Sequence, residues 1–132
     1  MSRGVLIDYH RWATEKGIDH PATRRTPISI KDIEQIAQEQ NVEFRHGDIL
    51  IIRSGWMDWY NNASTTERYT GATLGHEFIG LDGNEESVTW LWDHHFAAVA
   101  GDAIAFEAWP PRAPWRKPYL PSPDLRRAFY SQ

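Results

Sequence analysis

The residues with the clearest capacity for chemistry are His95 and Glu107. His95 follows an aromatic and aliphatic run, and Glu107 lies in a strand-like segment downstream of it. An imidazole and a carboxylate in apolar surroundings are costly to bury unless each has a partner. Together they are ligands that zinc and manganese accept, so they predict part of a divalent-metal site. The structural alternative is that His95 bonds a backbone carbonyl while Glu107 pairs with an arginine.

The element that must position His95 is a helix predicted to begin after Asn84, a favoured N-cap residue. An apolar stripe with helical spacing follows, formed by Val88, Leu91, Trp92 and His95. This spacing predicts that His95 faces inward. His94 lies about 100° away around the helix, at the margin of the stripe, and is an additional candidate ligand.

The predicted fold class is α/β. Buried strands are expected over Gly4–Tyr9, Asp48–Arg53 and Ala103–Glu107, and the four aliphatic residues within the second favour a central position. Helices from Ile30 and from Glu85 are expected to cover this sheet.

The carboxyl end of the second strand delivers Ser54 and Trp56, and ligands of α/β sheets usually bind at that end. Ser54 is therefore a candidate to hydrogen-bond a substrate, with Trp56 and Trp92 as candidate pocket walls. The alternative for Ser54 is a strand-to-helix turn in which it caps the next helix. A substrate pocket predicts a small-molecule partner.

Composition excludes several classes of function. The 132-residue chain has a net charge of -4, which gives no electrostatic reason to expect a nucleic-acid partner. Cysteine is absent, so disulfides and zinc-thiolate sites are excluded. No apolar run approaches the roughly 20 residues of a membrane span, and the start of the chain does not read as a signal peptide. We expect a cytoplasmic protein with no membrane partner.

The chain is predicted to divide into a single α/β domain over residues 1–111 and a proline-rich C-terminal segment over 112–132. Six of the eight prolines lie between Pro110 and Pro123. Such spacing excludes regular helix and sheet in that segment.

Three stretches resemble the cyclase family, metal-dependent hydrolases that include bacterial kynurenine formamidases and isatin hydrolases. They are RGVLIDYHRW (Arg3–Trp12), GDILIIRSGW (Gly47–Trp56) and WLWDHHFAAVAGDAIAFEAWP (Trp90–Pro110). The third is especially similar to fungal members associated with secondary metabolism.

The resemblance implies the swivelling β/β/α fold of that family and places metal-site residues at His95 and Glu107. It further implies zinc or manganese as cofactor and hydrolysis of an amide or lactam bond, or the reverse cyclisation or a dehydration. The family's His-x-Gly-Thr-His-x-Asp run has no counterpart in this sequence, and neither do its closing helix and strand. The chain therefore resembles the later part of the fold, and no residue is assigned as catalytic base.

The resemblance to the family, together with the family elements that this sequence lacks, leads to two candidate functions. The first is a metal-dependent hydrolase-type enzyme acting on a small molecule. The second is a truncated or degenerate homologue that acts as a binding subunit or has no function. Part of a fold exposes a sheet edge and apolar surface, so a homo-oligomer is expected.

Overall fold

The computed structural model describes residues 2–112, and its architecture is α/β with parallel pairing in both of its sheets. The predicted fold class is confirmed. The predicted proline-rich segment lies outside the described residues from position 113 onward. No helix in the described part of the chain is long and apolar enough to cross a membrane.

Strands and helices alternate along much of the described chain. The strands are β1 (Gly4–Ile7), β2 (Pro27–Ile28), β3 (Ile49–Ile52), β4 (Gly80–Leu81) and β5 (Ala98–Gly101). The helices are α1 (Tyr9–Glu15), α2 (Ile30–Glu39), α3 (Trp56–Asn62), α4 (Thr65–Arg68) and α5 (Glu85–Asp93), and a single π-helical turn (Tyr69–Thr73) follows α4.

The main sheet has the order β1-β3-β5 with all strands parallel, and β3 lies in the middle. Leu50 in β3 pairs with Val5 on one side and Val99 on the other, and its side chain is fully buried. The prediction that the aliphatic run Ile49–Ile52 forms a central strand is therefore confirmed. A second, two-stranded parallel sheet joins β2 to β4.

Helix α2 begins at Ile30, as the sequence predicts. The Ser29 hydroxyl accepts a hydrogen bond from the Asp32 amide at 3.1 Å, which satisfies one of the unpaired donors of the first turn. Its apolar stripe is buried, namely Ile30, Ile33, Ile36 and Ala37. This helix therefore provides much of the apolar surface on which the sheet packs.

The predicted strand over Ala103–Glu107 is wrong. The third strand of the sheet is β5, which pairs residue by residue with β3. Residues 103–106 bend instead, so that the Phe106 carbonyl accepts from the Leu81 amide and Glu107 forms an isolated bridge beside Leu81. The segment that pairs with β3 is therefore the run of small residues Ala98–Gly101, although Ile104 and Phe106 in the later segment have the higher strand propensity.

The predicted inward stripe of α5 is also wrong. The helix begins after Asn84 as expected, but the residues it buries are Ser87 and Trp90. Val88 and Trp92 are 61% and 76% exposed. The helix ends at Asp93, and His95 has a positive φ of 50°, so His95 does not continue the helical stripe.

Candidate functional site

The three parallel strands of the main sheet end at the same edge, and polar residues follow each of them. Asp8 follows β1, Ser54 follows β3 and Asp102 follows β5. The Arg53 guanidinium donates to both oxygens of Asp8, at 3.0 and 3.1 Å. Crevices at the carboxyl ends of parallel strands are the usual ligand sites of such sheets, so this edge is a candidate ligand site.

Asp102 joins the end of β5 to the start of α3. Its Oδ1 accepts from the Ser54 amide at 2.6 Å and from the Ser54 hydroxyl at 2.7 Å. Its Oδ2 accepts from the amides of Gly55 and Met57, at 3.1 and 3.3 Å. The carboxylate therefore satisfies amides that have no partner within the first turn of α3, where negative charge is also favoured.

Burial raises the pKa of Asp102, but the hydrogen bonds from the Ser54 hydroxyl and from three backbone amides outweigh it and lower the pKa below its ordinary value. Asp48, at the other end of the sheet, behaves similarly. The Arg3 guanidinium donates to it at 2.7 and 3.1 Å and, as the largest cause, lowers the pKa of Asp48. The fold therefore favours the ionised form of both carboxylates.

We expect the protein to lose stability in acid because of these two carboxylates. In the unfolded chain an aspartate takes up its proton near pH 3.9, whereas the folded protein holds both groups ionised to lower pH. Their contribution is complete above the unfolded pKa and is lost as the pH falls through the folded pKa. Urea midpoints measured between pH 7 and pH 2 should fall most steeply below about pH 4. Asp48→Asn and Asp102→Asn should each flatten that fall, and an unchanged acid slope in both variants would contradict this expectation.

His10 and His20 meet beside the same edge of the sheet. His10 Nδ1 and His20 Nε2 are 2.8 Å apart, and the ring centroids are 5.0 Å apart. The other nitrogen of His10 lies 3.3 Å from Asp58 Oδ2, and the other nitrogen of His20 lies 2.7 Å from the Ile18 carbonyl oxygen.

His95 lies at the opposite edge of the main sheet. It precedes β5, and its carbonyl accepts from the Gly47 amide at 2.9 Å. Its side chain is exposed, and its ring meets that of His46 edge-on with centroids 4.6 Å apart. His94 is the C-cap residue of α5, its Nδ1 lies 2.8 Å from the Trp90 carbonyl oxygen, and its ring stacks on Phe96.

Glu107 is exposed at the rim of a groove of about 290 Å³. The groove runs between β4, the first turns of α5 and the segment after Phe106, and its apolar wall includes Leu81, Val88, Leu91 and Phe106. The backbone of Glu107 crosses β4 so closely that a Cβ on Gly80 would lie 2.5 Å from the Glu107 carbonyl carbon. Glycine at position 80 therefore permits the crossing that holds Glu107 at the groove.

The three candidate pocket residues contact different neighbours, and within the described residues they do not line a common groove beside α5. Ser54 is buried and its hydroxyl donates to Asp102, whereas the N-cap residue of α3 is Gly55. Trp56 is 8% exposed and stacks on Tyr60 with centroids 5.2 Å apart. Trp92 lines a shallow apolar groove of about 550 Å³ on the outer face of α5, together with Val99.

The structure does not assemble a metal centre from the predicted ligands. Among residues 2–112, no three histidine, aspartate or glutamate side chains converge in a way that could hold a metal ion. His95 has His46 as its ring neighbour, whereas Glu107 lies among the residues of the groove. The two predicted ligands are exposed, but the described part of the chain does not complete a site around them.

The contacts of Asp102 and of the histidine pair were not predicted from the sequence. The contact of Asp102 could have been predicted, because a carboxylate directly after a parallel strand meets the residues that follow the neighbouring strand. The strand was instead predicted over Ala103–Glu107, which places Asp102 before the strand. His10 and His20 stand ten residues apart across a helix and a loop, and no local pattern predicts that their rings meet.

Comparisons with known proteins agree on one relationship. The family model described as Putative cyclase matches residues 1–108. A solved structure described as the crystal structure of a novel cyclase is 29% identical to this chain, with a TM-score of 0.65. The similarity covers 80% of this chain and 32% of that one, so the chain spans about a third of the length of the solved cyclase. No curated protein matches the chain.

Proposed function

From the premise that this chain belongs to the cyclase family, we propose that it takes part in hydrolase-type chemistry on a small molecule. The reaction would be hydrolysis of an amide or lactam bond, or the reverse cyclisation or a dehydration. The similarity of the segment Trp90–Pro110 to fungal members supports a biosynthetic intermediate of secondary metabolism as the substrate.

The observation that carries this proposal is the groove beside Glu107. Its volume of about 290 Å³ suits a small molecule, and its apolar wall would bury the carbon skeleton of such a ligand. Asp82 lies in the same groove, and Arg25 and Arg112 lie 3.6 and 3.0 Å from its carboxylate oxygens. These arginines offset the charge of Asp82, which leaves Glu107 as an exposed carboxylate at the rim.

We assign His95 and Glu107 as ligands of a zinc or manganese ion within this proposal. Both side chains are exposed, so further ligands have access to them. A catalytic zinc usually has three protein ligands and a water, and the two residues do not reach that number within residues 2–112.

The second candidate function is a non-catalytic homologue that acts as a binding subunit. The observation in its favour is the same shortage of converging ligands in the described part of the chain. In addition, the Ser54 hydroxyl donates to Asp102, so it serves the turn into α3.

Equilibrium dialysis against Zn²⁺ and Mn²⁺ separates the two candidates. The enzymatic proposal expects His95→Ala and Glu107→Gln each to weaken binding of one metal equivalent by at least about 100-fold, since loss of groups that merely support a ligand costs 10–100-fold. His76→Ala, at another exposed histidine, is the matched control and should bind as the unmodified chain does. Binding that is unaffected by both ligand variants would favour the non-catalytic homologue.

We also propose that the chain self-associates through the outer face of α5 and β5. Val88, Trp92 and Val99 are 61%, 76% and 42% exposed there, an apolar surface of the kind that marks interfaces. Sedimentation velocity should show an oligomer that Trp92→Glu converts to monomer. Leu74→Glu, at a residue 53% exposed elsewhere, is the control and should leave the oligomer intact. A monomeric unmodified chain at micromolar concentration would contradict this proposal.

A further inference from the structure

His10 and His20 form a hydrogen-bonded pair beside the carboxyl edge of the main sheet. His10 lies in the first turn of α1, and His20 lies in the loop that follows this helix. His10 Nδ1 and His20 Nε2 are 2.8 Å apart. The other nitrogen of each ring also has a polar neighbour, so the hydrogens on the histidine pair can be counted from its contacts.

The contact of His20 with the backbone fixes one hydrogen. His20 Nδ1 lies 2.7 Å from the Ile18 carbonyl oxygen, and a carbonyl oxygen only accepts. Nδ1 therefore carries a hydrogen, and in a neutral His20 ring Nε2 has only a lone pair. The hydrogen between the two rings then belongs to His10 Nδ1.

The remaining nitrogen of His10 faces a carboxylate. His10 Nε2 lies 3.3 Å from Asp58 Oδ2, in the first turn of α3. If His10 were neutral, this nitrogen would present a lone pair to an ionised oxygen that also only accepts. A further proton on Nε2 replaces that repulsion with an ion pair.

The count of hydrogens gives the charge of the histidine pair. The three contacts need three hydrogens, one more than two neutral imidazole rings carry. A pair with two hydrogens leaves Asp58 opposite a lone pair, and a pair with four turns two N–H groups towards each other. The arrangement therefore fits a pair that carries a single positive charge.

The other charged groups near the histidine pair have partners of their own or are exposed. They are the ion pairs Arg11–Glu15 and Arg53–Asp8, the carboxylate of Asp102 at the start of α3, and exposed Asp19 in the loop. Tyr9 meets the His20 ring edge-on, and because burial raises the pKa of Tyr9 its phenol stays neutral where histidine titrates. Among residues 2–112, Asp58 is the carboxylate within ion-pair distance of the histidine pair.

The backbone holds the His10 ring against the start of α3. The His10 amide donates to the Arg53 carbonyl at 3.0 Å. Gly55, the N-cap residue of α3, packs on the ring so closely that a Cβ there would lie 2.3 Å from His10 Nδ1. The charge on His10 therefore lies between α1 and the first turn of α3.

We propose that the histidine pair is a pH-dependent contact that fixes α3 against α1 and the loop after it. Histidine gains and loses its charge between about pH 5 and pH 8. With the extra proton His10 attracts Asp58, and without it the facing atoms repel. Because α3 begins at the carboxyl edge of the main sheet, the rigidity of this candidate ligand site depends on pH. The pair shares no residue with His95 and Glu107, so the inference is independent of the proposed function.

Nitrogen-15 NMR of the imidazole rings in the full chain counts these hydrogens directly. At about pH 5.5 both nitrogens of His10 and Nδ1 of His20 should carry hydrogens, and His20 Nε2 should not. At about pH 8.5 His10 Nε2 should have lost its hydrogen. The variants His10→Gln and His20→Gln assign the signals. A neutral His10 ring at the lower pH, or two charged rings, would overturn the proposal.

Amide hydrogen exchange tests the attachment of α3. Protection factors of the α3 amides, which correct for the intrinsic effect of pH, should fall about two- to fivefold from the lower pH to the higher. Asp58→Asn should abolish this change, because an amide side chain can accept from a charged His10 and donate to a neutral one. Glu15→Gln, at an exposed carboxylate of α1, is the matched control and should retain it. Protection that does not change with pH, or that changes equally in Asp58→Asn, would refute the contact.

Discussion

Replacing Leu50 with alanine is expected to lower the free energy of unfolding by about 3–4 kcal/mol. Leu50 lies in the middle strand of the main sheet, is fully buried, and has a paired strand on either side. Truncation removes buried methyl groups and leaves a cavity that two flanking strands prevent from closing. Urea unfolding followed by tryptophan fluorescence measures the change.

The matched control for this substitution is Leu6→Ala in the neighbouring strand. Leu6 is 50% exposed, so the same truncation removes less buried surface and should cost less than about 1 kcal/mol. Equal losses at the two positions would contradict the placement of β3 at the centre of the sheet.

Replacing Asp102 with alanine is expected to cost about 3 kcal/mol of folding stability. The carboxylate accepts from the Ser54 hydroxyl and from the amides of Ser54, Gly55 and Met57. Its removal leaves several partly buried donors without a partner at the first turn of α3. A buried donor without a partner destabilises the fold by more than a typical hydrogen bond stabilises it.

Two further variants measure the contribution of the Asp102 charge and of a single hydrogen bond to it. Asp102→Asn keeps one acceptor oxygen and should lose roughly half as much stability as Asp102→Ala. Ser54→Ala removes one donor and leaves three, so it should cost about 1 kcal/mol. If Asp102→Ala were no more destabilising than Ser54→Ala, Asp102 would not be the group that fixes the start of α3.

The parts of the fold that the sequence predicts are those fixed by local chemistry. The Ser29 cap, the buried stripe of α2 and the aliphatic run of β3 each carry their own signal within a few residues. The positions of β5 and of the bend after it depend on pairing with β3 and β4, which lie far away in the chain. The strand-like composition of Ala103–Glu107 is a local preference that this long-range pairing overrode.

The same distinction between local and long-range information applies to the candidate site. Residue types and resemblance predict His95 and Glu107 as ligands, but their exposure depends on where α5 ends and how the chain crosses Gly80. The convergence of His10 with His20 depends on the path of a loop and on the absence of a side chain at Gly55. Spacing along the sequence carries none of that information.

Turnover of small amide and lactam probes by the purified chain distinguishes a metal-dependent hydrolase from a non-catalytic homologue. After chelation and re-addition of Zn²⁺ or Mn²⁺, we expect metal-dependent hydrolysis that Glu107→Gln and His95→Ala abolish and His76→Ala preserves. Hydrolysis that is unaffected by the Glu107 and His95 substitutions, or absent with both metals across the probes, would contradict it.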